Sequence, residues 1–262
     1  VDGCRLSRAA TIVYEHADLD ALAAGLRRAA GRPALIVTDA VFSMDGDLAP
    51  LEGIVELARR HGARVMVDEA HATGVVGERG RGLVAELGLE REVDVTIGTL
   101  GKALGSYGAF ACCSAQMARY LINRVRTLIF STALPPPALG AALAALELLR
   151  TDHELVPTLH SRARALRARL AHAGLAVEPG AMPIVPIVIG DPHLALAVAE
   201  KALEGGVFAQ AIRPPTVPVG TSRLRLVATA AHGERELLGA GQTVAESAHA
   251  CVTPGARTQV FE

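Results

Sequence analysis

The sequence Arg64-Val65-Met66-Val67-Asp68-Glu69-Ala70-His71 decides the fold of this chain, because a short apolar run ends there in two acids and a histidine. A second apolar run, residues 93–99, leads into the glycine-rich segment from Gly98 to Gly105. Short apolar runs bounded in this way are typical of buried strands in open α/β sheets, which bind ligands beyond the carboxyl ends of their strands. One crevice is therefore predicted to hold four polar side chains: Asp68, His71, Thr99 and Lys102.

Lysine is rare in this chain, which uses arginine for nearly all of its positive charge: the only two lysines are Lys102 and Lys201. Arginine keeps its proton near neutral pH, whereas a lysine amine can lose it and act as a nucleophile and a base. Lys102 stands among glycines in the segment just described, so it is a candidate for such an amine. A loop lysine that only solvates the surface is the alternative, and spacing alone does not separate the two.

The composition excludes several classes of function. A formal net charge of -1 over 262 residues provides no basic field for nucleic acid or for a membrane surface. No uninterrupted apolar run is long enough to span a bilayer and the start is not a signal peptide, so we expect a soluble cytoplasmic protein. The four cysteines form no CxxC pair and no zinc-type spacing, which argues against a metal site.

Helix and strand patterns alternate in the order typical of a parallel α/β sheet. Helices are predicted from the Asp18 cap to Gly31 and from Pro50 to Gly62, where cap, proline and glycine suit the ends of helices. A further helix is predicted over residues 114–128. Buried strands are predicted at residues 34–38, 65–67 and 93–97, and one more strand, paired back along the sheet, is predicted at residues 107–113.

Two domains are predicted, residues 1–152 and residues 153–262, because the composition changes between them. The alanine- and leucine-rich helix 138–150 is apolar nearly all round, which predicts burial, whereas the segment 74–82 is predicted to be too polar for the core. The second domain is predicted to be a smaller α/β unit. Its helices are expected at residues 153–173, 193–204 and 233–250, and its strands at residues 183–189, 207–212 and 224–228, the first at a sheet edge because of its prolines.

The run Asp68-Glu69-Ala70-His71 also spells the acidic box of helicase ATPases, and this alternative can be tested. Such an ATPase requires an upstream glycine-rich loop ending in Gly-Lys-Ser/Thr, which cradles phosphates and helps to hold magnesium. The only Gly-Lys pair is Gly101-Lys102, which lies downstream of the box and is followed by Ala103. Because the basic field that binds nucleic acid is also missing, we reject the helicase interpretation.

The same residues fit a pyridoxal phosphate site better than they fit an ATPase site. This cofactor needs a lysine amine, an acid against its ring nitrogen, and hydroxyl or backbone N–H groups for its phosphate. The acid keeps the ring nitrogen protonated, so that the ring can draw electrons from a substrate carbanion. Lys102, Asp68 and Thr99 supply these groups from neighbouring strand ends. The pattern indicates this cofactor, although the spacing alone does not prove it.

Several segments resemble the α-oxoamine synthases, fold-type I pyridoxal phosphate enzymes that join an amino acid to an acyl-CoA with loss of carbon dioxide. They are Phe42-Ser43-Met44-Asp45-Gly46-Asp47, residues 67–74, residues 98–105 and Phe130-Ser131-Thr132. The segment from Ile212 to Leu226 resembles the members that condense L-alanine with pimeloyl-CoA in biotin synthesis. The resemblance covers nearly the whole chain. It implies an α/β fold with a mostly parallel central sheet between helices, and a homodimer with its site at the subunit interface.

The resemblance implies a role in cofactor binding for five residues. Lys102 is implied to be the Schiff-base lysine and the general base that removes the α-proton of L-alanine. Asp68 is implied to pair with the pyridine nitrogen, and Thr99 to bind the phosphate. His71 and Ser43 are implied to lie beside the phenolic oxygen of the ring.

Further contacts are implied outside this group. Ser131 and Thr132 match positions that reach a phosphate across the dimer interface. Thr216 matches a substrate-contacting position, and Arg225 is expected to grip a substrate carboxylate, a planar group that suits a guanidinium fork. Arg223 lies two residues earlier on the same strand face, where either a substrate contact or a surface ion pair would explain it.

Alternatives within and outside the family remain open at this stage. Related synthases condense glycine with acetyl-CoA or succinyl-CoA, and a sphingolipid-type relative is a third possibility. A truncated fragment or an interaction subunit would be non-enzymatic. The family's N-terminal portion, with a glycine-containing phosphate loop and an aromatic or histidine stacked on the ring, is expected to precede Val1, and Ala109 replaces a glycine common in the family.

Overall fold

The computed structural model of the chain describes residues 2–251. Its helices are α1 (Asp2–Ser7), α2 (Leu19–Arg28), α3 (Leu51–His61), α4 (Leu83–Glu86), α5 (Ala115–Arg124), α6 (Arg126–Ile129), α7 (Pro136–Thr151), α8 (Leu155–His172), α9 (Pro192–Glu204) and α10 (Glu234–Cys251). Its strands are β1 (Leu35–Asp39), β2 (Arg64–Asp68), β3 (Val95–Thr99), β4 (Ala109–Cys113), β5 (Ile184–Gly190), β6 (Gln210–Ile212) and β7 (Ser222–Val227). No helix within these residues is both long enough and apolar enough to cross a membrane.

The described chain divides into two compact units. The first comprises residues 2–40, 48–73 and 81–145, and the second comprises residues 41–47, 74–80 and 146–251. The second unit therefore includes two short segments that lie, in sequence, between elements of the first. The domain boundary at residue 152 stays a prediction, and residues 252–262 of the predicted second domain lie outside the described residues.

The first unit is built on a four-stranded sheet in the order β1-β2-β3-β4. Strands β1, β2 and β3 run parallel, whereas β4 pairs antiparallel with β3, as predicted. Because the carboxyl ends of parallel strands meet at one edge of a sheet, the last residues of the three parallel strands lie at the same edge. These residues are Asp39, Asp68 and Thr99.

The predicted Asp18 cap and the predicted end of α3 at Gly62 are confirmed, whereas α2 ends at Arg28, with Ala29 rather than Gly31 as its C-cap residue. The Asp18 side chain accepts a hydrogen bond from the backbone N–H of Ala21 at 2.9 Å, which satisfies one of the free donors at the start of α2. Gly62 follows α3 in the left-handed conformation, with φ 62°, and its N–H bonds to the last turn of the helix. These local signals are independent of tertiary packing, so they could be recognised in the sequence.

Two predictions of burial need correction, for β1 and for α7. Leu35 and Val37 of β1 are exposed while Ile36 between them is buried, so within the described residues only one face of this strand is covered. Helix α7 forms as predicted but is mostly exposed: Ala142 is its buried residue, and the side chain of Leu143 is 67% exposed. An apolar composition therefore did not indicate which surfaces are covered within residues 2–251.

Two local predictions also differ from the structure. The predicted helix over residues 114–128 is interrupted at Val125, whose extended backbone separates α5 from α6. In the segment 74–82, Val76 is buried, and Gly74 and Gly80 pack so tightly that a Cβ on Gly80 would lie 2.6 Å from the Cα of Gly74. Part of this segment therefore belongs to the core, because its glycines allow two backbone strands of a loop to approach.

The second unit contains a three-stranded antiparallel sheet in the order β5-β7-β6. Strand β5 lies at the sheet edge, as its prolines predict. Helices α8, α9 and α10 supply apolar side chains to a core that this sheet shares, with Ile187, Leu224, Val198 and Val244 among its buried members. Each buried side chain of this size contributes about 1.5–3 kcal/mol through the hydrophobic effect, so the core is the main source of stability in this unit.

Candidate active site at the carboxyl edge of the sheet

Two carboxyl groups occupy neighbouring positions at the carboxyl edge of the first sheet. Asp39 ends β1 and Asp68 ends β2, and the two residues are partners in the register of these parallel strands. Asp68 Oδ1 accepts a hydrogen bond from the backbone N–H of Ala70 at 2.8 Å, which fixes the direction of this half-buried carboxylate. The local turn thus orients the acid before any ligand is present.

Glu69 organises the turn that carries His71. Its backbone N–H donates to Ile97 O of β3 at 2.7 Å, and its carbonyl accepts hydrogen bonds from the N–H groups of Ala72 and Thr73 at 2.9 and 2.8 Å. The residue is 4% exposed, and its carboxylate accepts the N–H of Val84 at 2.7 Å. Glu69 therefore holds the turn between Asp68 and Thr73 through both its backbone and its side chain.

Burial also changes the acidity of Glu69. It raises the pKa of this carboxyl above its usual value, while hydrogen bonds from the backbone N–H groups of Val84 and Leu83 act in the opposite direction. The negative charge of Asp68 adds to the upward shift. Sequence analysis singled out Glu69 as part of a motif but assigned it no role, because its partner Val84 lies 15 residues further along the chain.

Lys102 lies in a compact turn that connects β3 with β4. The turn is closed by backbone hydrogen bonds from Leu100 N to Gly108 O at 2.9 Å and from Ser106 N to Leu100 O at 2.8 Å. Gly105, with φ 56°, donates its N–H to Lys102 O at 3.0 Å. The antiparallel return of β4 therefore places an exposed lysine side chain at the end of β3.

Asp39 is a candidate site residue that sequence analysis missed. Burial raises the pKa of its carboxyl, the charge of Asp68 raises it further, and the charge of Lys102 lowers it. These interactions place Asp39, Asp68 and Lys102 within one electrostatic environment. A signal was available, since Asp39 stands at the carboxyl end of a strand, where the same argument had selected Asp68.

Thr99 occupies the edge between these groups and the lysine turn. Its hydroxyl donates to Gly108 O at 3.2 Å and accepts the N–H of Gly101 at 3.2 Å. The hydroxyl is therefore engaged in the turn, and binding of a phosphate by it would replace one of these bonds. Sequence placed the residue correctly at the strand end but did not reveal these partners.

The remaining candidate residues lie elsewhere in the described chain. In the first unit, Ser131 and Thr132 are exposed, and the Ser131 hydroxyl donates to Leu128 O at 3.4 Å. In the second unit, Ser43 is half-buried in the segment 41–47, Thr216 is exposed, and Arg225 is half-buried on β7. The structure thus places Lys102 and Asp68 at one edge of the sheet in the first unit. Ser131 and Thr132 lie elsewhere in that unit, and Ser43, Thr216 and Arg225 belong to the second unit.

The groups at the sheet edge have the chemistry that pyridoxal phosphate requires. A primary amine, a carboxylate held in one direction and a hydroxyl lie at the ends of adjacent strands, and the amine and the carboxylate both act on the same neighbour, Asp39. The carboxyl of Asp39 lies beside them, and burial and the charge of Asp68 raise its pKa. The residues present therefore fit this cofactor.

Comparison with known proteins identifies the family. The family model described as aminotransferase class I and II matches residues 1–240. The chain belongs to this family. Its structural relatives in the family confirm the predicted α/β transferase fold.

Several curated relatives of this family member carry one name. The chain is 50% identical over 246 residues to 8-amino-7-oxononanoate synthase of Anaeromyxobacter dehalogenans, a match that covers 94% of this chain and 62% of the relative. It is 47% identical to 8-amino-7-oxononanoate synthase of Lysinibacillus sphaericus, covering 90% of this chain and 61% of the relative. The chain thus spans about three fifths of the length of these relatives, and the predicted resemblance to the α-oxoamine synthases is confirmed.

Solved structures of the family show the same fold. Serine palmitoyltransferase from S. paucimobilis, solved with a bound PLP–myriocin aldimine, matches with a TM-score of 0.91 and 32% identity, covering 95% of this chain and 64% of that one. The 8-amino-7-oxononanoate synthase from Francisella tularensis matches with a TM-score of 0.79 and 27% identity, covering 94% of this chain and 70% of that one. The backbone similarity is therefore closer to the palmitoyltransferase, whereas higher sequence identity is found with the synthases from the other bacteria.

Proposed function

We propose that this chain condenses L-alanine with pimeloyl-CoA, or with pimeloyl-carrier protein, in a pyridoxal-phosphate-dependent reaction of biotin synthesis. The products are 8-amino-7-oxononanoate, CoA and carbon dioxide. The observation that carries the proposal is the strand register, which places Asp39 and Asp68 as partners at one sheet edge, where β3 ends at Thr99 and leads into the turn that carries Lys102. It is supported by the 50% identity to a relative named for this product.

Lys102 and Asp68 would perform the central chemistry. When bound, pyridoxal phosphate supplies a carbonyl group that condenses with amines and a ring that withdraws electrons from a carbanion. The Nζ atom of Lys102 would anchor the cofactor and, after the substrate amine takes its place, accept and later return a proton at the substrate α-carbon. The Asp68 carboxylate, oriented by the N–H of Ala70, would hold the proton on the ring nitrogen.

The other residues would bind and orient. We assign His71 and Ser43 to the phenolic oxygen and Thr99 to the phosphate, with Ser131 and Thr132 reaching a phosphate of the partner subunit. Thr216 would contact the substrate, and Arg225 would bind a substrate carboxylate through its guanidinium. These assignments extend the family resemblance to residues whose surroundings are described above.

A cytoplasmic homodimer is part of the same proposal. Several large apolar side chains of the first unit are exposed in the described chain, among them Tyr120, Ile122, Leu128 and Phe130. A second copy of the chain that covered them would remove this apolar area from water. Sedimentation equilibrium would test the dimer, and a monomer at micromolar concentration would contradict it. Cell fractionation would test the cytoplasmic location.

Borohydride trapping is the direct test of the cofactor and its anchor. The purified chain is mixed with pyridoxal phosphate and reduced, and the labelled peptide is mapped by mass spectrometry. We expect the label on Lys102, and Lys201 provides an internal control because it is the only other lysine and lies on α9. No label, or an equal label on both lysines, would show that this chain does not form a specific cofactor site.

A substrate panel separates the proposed reaction from that of the structural neighbours. L-alanine, glycine and L-serine are each combined with pimeloyl-, acetyl-, succinyl- and palmitoyl-CoA, and release of CoA is measured. We expect the alanine and pimeloyl-CoA pair to be preferred. Preference for serine with palmitoyl-CoA would instead assign the activity named for the structures with the higher TM-score.

A further inference from the structure

Arg223 is a buried arginine in the second unit. The residue is 5% exposed, and its guanidinium makes hydrogen bonds to Thr221, two residues earlier, and to the segment 41–47, which is distant in sequence. Nε donates to Thr221 O at 3.0 Å, and Nη1 donates to Met44 O at 3.3 Å and forms an ion pair with the Asp45 carboxylate. The ion pair that sequence analysis left as one alternative is therefore present, but the arginine side chain is withdrawn from water while Asp45 is half-exposed.

The cost of burying a guanidinium makes these contacts informative. A buried charge is retained only where opposite charge and hydrogen-bond acceptors compensate for lost hydration, and removal of one partner leaves the other uncompensated. Asp45 supplies the charge and two carbonyl oxygens supply further acceptors. The segment 41–47 therefore compensates the buried charge of Arg223, and Arg223 in turn holds this segment in place.

The segment 41–47, which we call the Ser43 loop, has a defined conformation around this contact. Two backbone hydrogen bonds close it, from Gly46 N to Phe42 O at 2.8 Å and from Phe42 N to Asp47 O at 3.0 Å. Gly46 has φ 73° and packs against β5, where a Cβ would lie 2.7 Å from Ile184 O. The loop is thus seated on the sheet of the second unit, although it follows β1 in sequence.

The other partner of Arg223 ends the segment that carries Thr216. Thr221 donates its N–H and its hydroxyl to Pro218 O at 3.1 and 2.8 Å, and the N–H of Thr216 donates to Arg213 O at 3.0 Å. Two short turns, 213–216 and 218–221, therefore follow each other in the segment 213–221, which we call the Thr216 turn, and the carbonyl of its last residue accepts a hydrogen bond from Arg223. One guanidinium thus contacts both the end of the segment that carries a proposed substrate residue and the loop that carries a proposed cofactor residue.

We propose that Arg223 is a positioning residue that fixes the Ser43 loop and the Thr216 turn relative to each other. This inference rests on the proposed function for the roles of Ser43 and Thr216. It predicts that breaking the ion pair with Asp45 displaces Ser43 from the cofactor and Thr216 from the amino acid together, while the core of the second unit stays folded.

The first experiment measures loop mobility without cofactor. Hydrogen exchange of peptides covering residues 42–47 is compared for the wild type, Arg223→Gln and Asp45→Asn. We expect the Gly46 and Phe42 amides to exchange about tenfold faster or more in both variants, because local opening no longer breaks the ion pair. The matched control is Glu234→Gln, which removes the ion pair with Arg162 at 2.7 Å in the same unit and should leave this exchange unchanged.

The second experiment tests the link to the cofactor. The absorbance of the protein loaded with pyridoxal phosphate is titrated with pH for Arg223→Gln, Ser43→Ala and the double variant, and KM for L-alanine is measured. We expect Arg223→Gln to shift the titration midpoint in the same direction as Ser43→Ala, the two shifts to be less than additive, and KM to rise. A variant that only loosened the fold would not reproduce the shift of Ser43→Ala.

The outcomes distinguish this inference from the proposed function. Unchanged exchange in the Ser43 loop of Arg223→Gln would overturn the inference whether or not Lys102 becomes labelled. An unshifted midpoint in Arg223→Gln, with a shifted one in Ser43→Ala, would overturn the link to the cofactor. Failure of Lys102 to label would overturn the proposed function. The exchange result would still show whether Arg223 holds the Ser43 loop in place.

Discussion

Asp39 and Asp68 are register partners on adjacent parallel strands, and both carboxyl groups lie at the carboxyl edge of the same sheet. Their proximity raises the pKa of Asp39, and Lys102 acts on the same group with opposite sign. A carboxyl whose pKa is shifted by burial and by neighbouring charges, with an amine nearby, is typical of functional sites. The predictions below test the separate contributions of these and neighbouring residues.

Asp39→Asn should stabilise the protein at neutral pH. Burial and the charge of Asp68 raise the pKa of Asp39, so the folded state binds more protons than the unfolded state above the ordinary value of 3.8. The free energy of unfolding therefore falls as pH rises through that window, and asparagine avoids this loss. Urea unfolding at about pH 7 and about pH 3 should show an advantage for the variant only at the higher pH. Glu52→Gln, at an exposed position of α3, is the control; an equal gain at both pH values would contradict the prediction.

Asp68→Asn should reduce catalysis far more than stability. An amide cannot hold the proton on the ring nitrogen, so we expect turnover to fall about a hundredfold or more, the scale of losing a proton-transfer partner. The asparagine oxygen can still accept the N–H of Ala70, so the thermal midpoint should change little. Steady-state rates and thermal melting, measured on the same preparations, check both expectations. Near wild-type activity would show that Asp68 does not have this role.

Glu69→Ala should destabilise the turn that carries His71. The substitution removes the buried acceptor of the Val84 N–H, and an unsatisfied buried donor costs about 1–3 kcal/mol. Glu69→Gln keeps an acceptor oxygen at the same place and should lose less. Chemical denaturation measures both variants, and equal losses would show that the hydrogen bond to Val84 is not the reason for the burial of Glu69.

Gly82→Ala should be more destabilising than Gly88→Ala. Both glycines have positive φ, 101° and 67°, which disfavours a side chain at either position. A Cβ on Gly82 would also collide with the Glu69 carboxylate, whereas a Cβ on Gly88 would meet nothing within 4 Å. The difference in free energy of unfolding should therefore be about 1–3 kcal/mol, the scale of local strain. Equal destabilisation would mean that Glu69 moves away freely.

The elements that sequence predicted well depend on local signals. The Asp18 cap, the left-handed Gly62 and the apolar runs ending at Asp68 and Thr99 each act within a few residues, so the pattern alone located them. The edge position of β5 followed from its prolines for the same reason, since proline lacks the N–H that a central strand requires.

The errors arose where long-range packing decides the outcome. Leu143 on α7 is exposed although its helix is apolar, and Val76 is buried although its segment is polar. Periodicity indicates how apolar a surface is but contains no information about which element covers it. Arg223 is the clearest case, because its burial depends on Asp45, which lies 178 residues away in sequence.

The sequence by itself determined the α/β class, the family and the order of helices and strands, because motif residues and capping signals are short-range features. It also selected Lys102 and Asp68 as the central pair of the candidate site. Only the tertiary structure decided that Asp39 shares their electrostatic environment and that the Ser43 loop belongs to the second unit through Arg223. Such facts depend on strand register and on desolvation, which arise when distant segments pack, and no local pattern records them.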